Sequence, residues 1–308
     1  SFGLIRDRAQ FLSFGEFGAK FASGAQKAPH LGEPDIRKSD PGSAPMFEAL
    51  VGIDAYCTPH NETSTGVAVT PQRIAGADPE SLMVIDATSG AGGLHVDITE
   101  CDTYYFAPQK SFGSDGGLWF ALMSPAAIAR ATQIKQLGRW IPDSLDLVTA
   151  IDNSRLQQTY NTPALATIYM MAEQVDWFNS NGGLAWTTAR TKESSDLLYS
   201  WAQAHSLLSP FVADPALRSG VVATIDVDES NAARDTHIID GRECQDDASF
   251  SQCLDTHDNK ESIRSSYSGG ENERIREQTF TLRKCDDQMC KNGCTTSVTK
   301  TEERSGVL

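Results

Sequence analysis

The sequence predicts an α/β fold: a mostly parallel sheet flanked by helices. Three observations predict it. Short apolar runs recur through the first two thirds of the chain, each bounded by Gly, Pro or polar turn residues. Stretches of helical apolar spacing alternate with them from about residue 124 onward. Several apolar runs end abruptly at a residue able to do chemistry, as expected at the carboxyl edge of parallel strands.

Taken in order, Phe11-Leu12-Ser13-Phe14 reads as a strand closed by Gly15, and a helix starts over Glu16 to Ala22. Leu50 to Cys57 is apolar enough for a buried strand and ends at His60-Asn61-Glu62-Thr63. Leu82-Met83-Val84-Ile85 is a second buried strand, ending at Asp86. Thr103 to Phe106 is a third, ending at Gln109-Lys110, and Gly117 to Leu122 a fourth. Ser124-Pro125 supplies an N-cap and a first-turn proline for a helix, and Gly138 suits its C-terminal stop. Thr162-Pro163 repeats that start signal. Leu165, Ile168, Ala172, Val175 and Phe178 follow at helical spacing until Asn181-Gly182-Gly183. A further helix is expected over about 186–205, and a strand over Val221 to Ile225.

The chain has 308 residues and a net charge of −15. Such an acidic balance opposes binding to a phosphate backbone, so no nucleic-acid partner is expected. The longest apolar run, Pro163 to Ala172, is too short to span a bilayer, and no signal segment is visible, so no membrane partner is expected and a cytoplasmic location is. Seven cysteines are present, five of them in residues 229–308. Their spacings lack the paired C-x2-C of zinc sites, so no metal is expected. Residues 229–308 carry 16 acids and 11 bases with little apolar periodicity. That stretch reads as a polar tail, disordered or translated out of frame. The chain opens on Ser1-Phe2-Gly3 and reads as a fragment.

Thr63, Asp86 and Lys110 each follow an apolar run. A phosphate-bearing cofactor with a protonatable ring nitrogen uses all three types. Pyridoxal 5′-phosphate takes a lysine on its aldehyde and an acid opposite its pyridinium nitrogen. Each residue also has a plainer reading. Lys110 could be a solvated surface lysine, Asp86 a turn acid, Phe17 a packed core aromatic and His60 a structural histidine. No GxGxxG or GxxxxGK[ST] motif supports a nucleotide.

A denser pattern links these residues. Ser13 to Phe21, His60-Asn61-Glu62-Thr63, Asp86-Ala87-Thr88-Ser89-Gly90, Tyr105 to Lys110, Gly138 to Pro142 and Tyr160-Asn161-Thr162-Pro163 together resemble the phosphoserine aminotransferases, above all the actinobacterial members. These are fold-type-I, class V enzymes dependent on pyridoxal 5′-phosphate. The resemblance covers about residues 2–228. It implies a large cofactor-binding domain over 1–190, the start of a small α+β C-terminal domain over 191–228, and an atypical tail over 229–308. It implies that Lys110 is the catalytic Schiff-base lysine and shuttles the Cα proton. Asp86 would pair with the ring nitrogen, Thr63 with the ring's phenolic oxygen, and Gln109 with the phosphate, while Phe17 stacks on the ring. Asn161 and Thr162 would reach the phosphate in a neighbouring subunit, so a homodimer is implied. The implied reaction moves an amino group from glutamate to 3-phosphohydroxypyruvate in serine biosynthesis. Another class V aminotransferase, or a non-catalytic fragment with partial cofactor binding, is the alternative. The family's glycine-rich phosphate cup and its His-Arg substrate pair are expected upstream of Ser1. Its carboxylate-clamping arginine has no clear match, Arg274 and Arg276 being the nearest.

Overall fold

The computed structural model describes residues 2–228 and the strands Arg276–Lys284 and Cys294–Glu302. Six strands form the main sheet. They are β1 (Ala9–Ser13), β2 (Asp35–Lys38), β3 (Ala55–Pro59), β6 (Leu82–Asp86), β7 (Thr103–Phe106) and β8 (Phe120–Met123), in spatial order β2-β1-β3-β6-β7-β8. All neighbours run parallel except β7 and β8. The mostly parallel sheet flanked by helices is therefore as expected. A short hairpin of β4 (Asn61–Glu62) and β5 (Val67–Ala68) stands beyond the end of β3.

The apolar runs are continuous because the central strands are covered on both faces. On one face, Phe11, Ala55, Cys57, Leu82 and Val84 pack against Ala22 and Ala25 of α1 (Glu16–Gln26) and Ala127 of α2 (Pro125–Gln136). On the other, Tyr56, Met83, Ile85, Tyr104 and Phe106 pack against Ile53, Ala87 and Ala91. Alternate residues of each strand thus serve separate cores. A buried ion pair ties the N-terminal segment to the sheet. Asp54 accepts the backbone N–H groups of Arg6, Asp7 and Arg8 at 2.7–3.0 Å, and Arg130 Nη1 lies 3.2 Å from its Oδ1.

The helices follow their caps. Ser124 Oγ accepts the Ala127 N–H at 3.1 Å at the start of α2. Asp146 caps α3 (Leu147–Arg155), an element whose apolar spacing is too short to read from sequence. The helices α4 (Leu165–Ser180) and α5 (Gly183–Ala204) form a hairpin across Asn181-Gly182. After them, β9 (Leu208–Pro210) pairs with β10 (Ile225–Val227).

Four expected boundaries are corrected. The strand expected from Leu50 starts at Ala55, because residues 50–54 turn at Gly52 (φ 82°) and leave Val51 fully in solvent. The strand expected from Gly117 starts at Phe120, since Gly117 lies at φ 91°, which breaks the extension. The helix expected at Thr162-Pro163 begins at Leu165, because Ala164 is still extended at ψ 95° and no side chain caps it. The strand expected from Val221 begins at Ile225. The amides of Val221 and Val222 are both taken by Ser219 Oγ at 3.1 Å, so they are unavailable to a ladder.

The chain divides into two compact units, Ser1–Asp226 and Val227–Leu308. In the second, β11 (Arg276–Lys284) and β12 (Cys294–Glu302) pair antiparallel from Arg276↔Glu302 to Lys284↔Cys294. The expectation for the rest of the 229–308 tail, Arg274 included, lies outside the described residues. Among the described residues no helix is long and apolar enough to cross a membrane.

Candidate functional site at the carboxyl edge of the sheet

Because β1, β3, β6 and β7 are parallel neighbours, their carboxyl ends share one edge. The segments leaving that edge carry Phe17, Thr63, Asp86, Gln109 and Lys110. Hydrogen bonds tie the start of α1 to the 61–63 segment and that segment to β6 and the turn after it, the His60 N–H donating to the Asp86 carbonyl at 2.8 Å. Ser89, in the turn after β6, takes the Thr63 hydroxyl at 2.9 Å and the Asn61 Nδ2 amide at 2.9 Å, and its own hydroxyl faces the Asn61 carbonyl at 3.2 Å. Glu62, wholly buried, accepts the N–H groups of Phe17 (3.2 Å) and Gly18 (2.8 Å) at the start of α1.

Asp86 is partly exposed at the end of β6, in register with Pro59 on β3 and Tyr105 on β7. Its Oδ1 accepts the Thr88 hydroxyl at 2.6 Å and the Thr88 N–H at 3.0 Å. Burial raises the Tyr105 phenol pKa, and the adjoining Asp86 carboxylate raises it further. That phenol therefore stays protonated beside the carboxylate. Phe17 keeps 43% of its surface exposed, with Lys20 Nζ 5.3 Å from its ring centroid. Lys110 and Gln109 are exposed in the turn after β7, where the Gly113 N–H donates to the Lys110 carbonyl at 2.9 Å. The Lys110 ammonium has no hydrogen bond or ion pair among the described residues.

His60 is the buried floor of this edge. Its Nδ1 lies 3.0 Å from the Tyr104 hydroxyl, and the ring also meets the His95 backbone. Burial lowers its pKa to about 4, so the ring is neutral at pH 7. In the neutral ring with its proton on Nε2, Nδ1 accepts the Tyr104 hydroxyl proton. A cavity of about 690 Å³, lined by Thr70, His95, Lys192, Tyr199 and Arg218 among others, borders the edge at His60.

Asn161 and Thr162 are not brought to this cluster. They are exposed just ahead of α4, and no hydrogen bond joins their side chains to the other candidates. Glu62, Ser89 and Tyr105 were given no role by sequence reasoning. For Glu62 a signal existed: Gly15-Glu16-Phe17 opens a helix without a local Ser, Thr, Asp or Asn cap, so the acceptor must come from elsewhere in the chain.

These residues fit a pyridinium-type cofactor in part. An acid at a strand end, a free amine, a hydroxyl and a half-exposed aromatic ring match the ring, its nitrogen and its aldehyde. Asn61 Oδ1 adds a buried acceptor without a partner. The phosphate is a different matter. Glu62 neutralises the N-terminus of α1, so an anion is not held there. The free helix N-terminus nearest a candidate is that of α4, which follows Asn161-Thr162-Pro163 and has no side-chain cap.

This architecture and edge define a class of protein that comparisons with known proteins make specific. Residues 53–252 match the family model for class-V aminotransferases. The chain belongs to that family. A relative from Mycobacterium sp. (strain KMS) is 57% identical over 234 residues, covering 76% of this chain and 63% of the relative. The phosphoserine aminotransferase of Rhodococcus jostii (strain RHA1) is 55% identical over 229 residues, covering 74% of this chain and 61% of its own length. The chain thus spans less than two thirds of the curated relatives it matches. Among solved structures, a phosphoserine aminotransferase from Cytophaga hutchinsonii ATCC 33406 has a TM-score of 0.66 at 20% identity, covering 71% of this chain and 61% of that one. That likeness is one of fold.

Proposed function

We propose that this chain carries the cofactor half of a transaminase that uses pyridoxal 5′-phosphate to move an amino group from glutamate to 3-phosphohydroxypyruvate. The observation that carries the reading is the single edge on which Phe17, Thr63, Asp86 and Lys110 stand, with the Phe17 backbone bonded to Glu62 and the Thr63 hydroxyl to Ser89 in the turn after Asp86. The identity to proteins named phosphoserine aminotransferase supports the choice of substrates. When bound, the cofactor supplies the electron sink for the carbanion left by the amino acid's Cα proton. The rest is the work of the chain's own residues. Lys110 Nζ would hold the cofactor at its aldehyde and, as a free amine, would take and return the Cα proton, a task for which an amine free of carboxylate partners is suited. Asp86 would hold the cofactor's ring nitrogen in its protonated form. Phe17 excludes water from one ring face, and Thr63 fixes the in-plane orientation through its hydroxyl.

Two copies form the working unit in this reading. Leu165 and Tyr169 of α4 are largely exposed, and Trp177 is half exposed, an apolar surface that suits a second copy. Asn161 and Thr162 sit at the uncapped start of the same helix, placed to serve an anion across such a contact.

The test is a titration of the purified chain with pyridoxal 5′-phosphate, then borohydride reduction and peptide mapping. The expected result is a visible absorbance band and a pyridoxyl mass on Lys110, both lost in Lys110→Ala. Asp86→Asn should keep the label but slow the glutamate half-reaction by about 10²-fold or more, the scale of removing a charged partner from a reacting ring. Labelling spread over surface lysines, with Lys110 unmodified, would sink the reading.

A further inference from the structure

We infer that Glu62 is a positioning residue: it locks the stacking aromatic Phe17 and the ring-facing Thr63 into one rigid unit, so that both present to the cofactor together. The inference rests on the proposed cofactor site and assigns a part of it that no motif identifies.

The carboxylate is fully buried and bonded on both oxygens. Oε1 accepts the Phe17 N–H at 3.2 Å, the Ser64 hydroxyl at 2.7 Å and the Ser64 N–H at 3.3 Å, while Oε2 accepts the Gly18 N–H at 2.8 Å. Ser64 closes the loop, its Oγ accepting the Glu16 N–H at 2.9 Å. Three consecutive amides of the first turn of α1, Glu16 to Gly18, are therefore held by the 62–64 turn. Phe17 is the middle residue of one partner in this clasp, and Thr63 is the middle residue of the other. No local side chain caps α1, so the amides of its first turn depend on the 62–64 turn for their side-chain acceptors.

Space confirms how close the two segments come. A Cβ at Gly15 would collide with Glu62 Cγ and Ser64 Oγ, and one at Gly18 would lie 2.9 Å from the Leu12 carbonyl. Gly15 has φ 173°, open to any residue, so glycine is required there for room and not for backbone angle. The Glu62 side chain also sits at the positive end of the helix dipole, which adds to the hold of its hydrogen bonds on the first turn.

The test uses the full chain with two readouts. One is amide hydrogen exchange at residues 16–18 and 63–64 without cofactor. The other is the dissociation constant of pyridoxal 5′-phosphate by absorbance. Glu62→Ala should speed exchange in both segments together and weaken cofactor binding by about tenfold, the scale of one charge-assisted hydrogen bond. Glu62→Gln, which keeps one acceptor oxygen, should fall between. Ser124→Ala, which removes the remote cap of α2, serves as the control for lost stability and should leave both readouts unchanged. If Glu62→Ala does not fold, Gly15→Ala displaces the same carboxylate and carries the same expectations. Unchanged exchange and affinity in Glu62→Ala overturn the inference, as does an equal loss of affinity in Ser124→Ala. If the unaltered chain binds no cofactor, the proposed function falls. Exchange then decides the clasp alone: linked acceleration at 16–18 and 63–64 upholds it, and acceleration in only one segment overturns it.

Discussion

His60 shows what burying one titratable ring costs. Its pKa falls from 6.5 to about 4 on folding, through burial first. A neutral ring is free of this cost above pH 6.5. Between pH 6.5 and about 4 the unfolded chain takes up the proton and the folded one does not, so stability declines as pH falls through that window. The loss levels out below pH 4 at about 3 kcal/mol. Urea unfolding from pH 7.5 to 4 should show this slope, and His60→Gln should flatten it. Cys57 is the opposite case of an inert group. Burial pushes its thiol pKa up to about 12, so peptide mapping after alkylation of the native chain at pH 8 should find it unmodified. Arg130 is a third. It is 3% exposed and donates to the carbonyls of Leu4, Asp54 and Glu80 as well as to Asp54 Oδ1. Arg130→Ala should cost about 2–3 kcal/mol in denaturant unfolding, because it removes the cation beside Asp54 and the side-chain donor of the Leu4 and Glu80 carbonyls.

Among the elements, capping separates what the sequence reveals from what it hides. Ser124 caps α2 from the adjacent position, and Ser124-Pro125 could be read directly. Ser124 Oγ also donates to Asp102 Oδ1 at 2.7 Å, so Ser124→Ala should lower the unfolding free energy by about 1–2 kcal/mol in a calorimetric or urea measurement. For α1 the cap is Glu62, 44 residues from Gly18, and no local pattern reports a bond of that reach. Strand cores were legible for a related reason. Leu82 to Ile85 and Thr103 to Phe106 are covered on both faces, so all but Thr103 are apolar or aromatic and the run declares itself. Strand ends were less legible, because Gly52, Gly117 and the Ser219 turn bend chain that is still apolar. The polar edge strand β2, Asp35-Ile36-Arg37-Lys38, offers no such run and went unseen. Its composition is that of an edge kept from pairing with other sheets.

At the scale of the whole molecule, a parallel sheet gathers distant residues by topology. Phe17, Thr63, Asp86 and Lys110 are far apart in sequence, and each lies at or just beyond the carboxyl end of a neighbouring strand on the same side. That is why so much of the candidate site could be read from the ends of apolar runs. Asn161 and Thr162 belong to no strand end, and only family resemblance marked them. The net charge of −15 acts at this scale too. The chain should show no retention on heparin and no shift of duplex DNA at about 0.15 M salt, measured by column and gel. The Tyr104–His60 contact has a use beyond the site. A phenolic proton aimed at a buried ring nitrogen is shut away from solvent and should exchange with water slowly enough to give its own magnetic-resonance line. That line would disappear as soon as water reached the floor of the sheet's carboxyl edge, so the molecule carries an internal hydration gauge that needs no label.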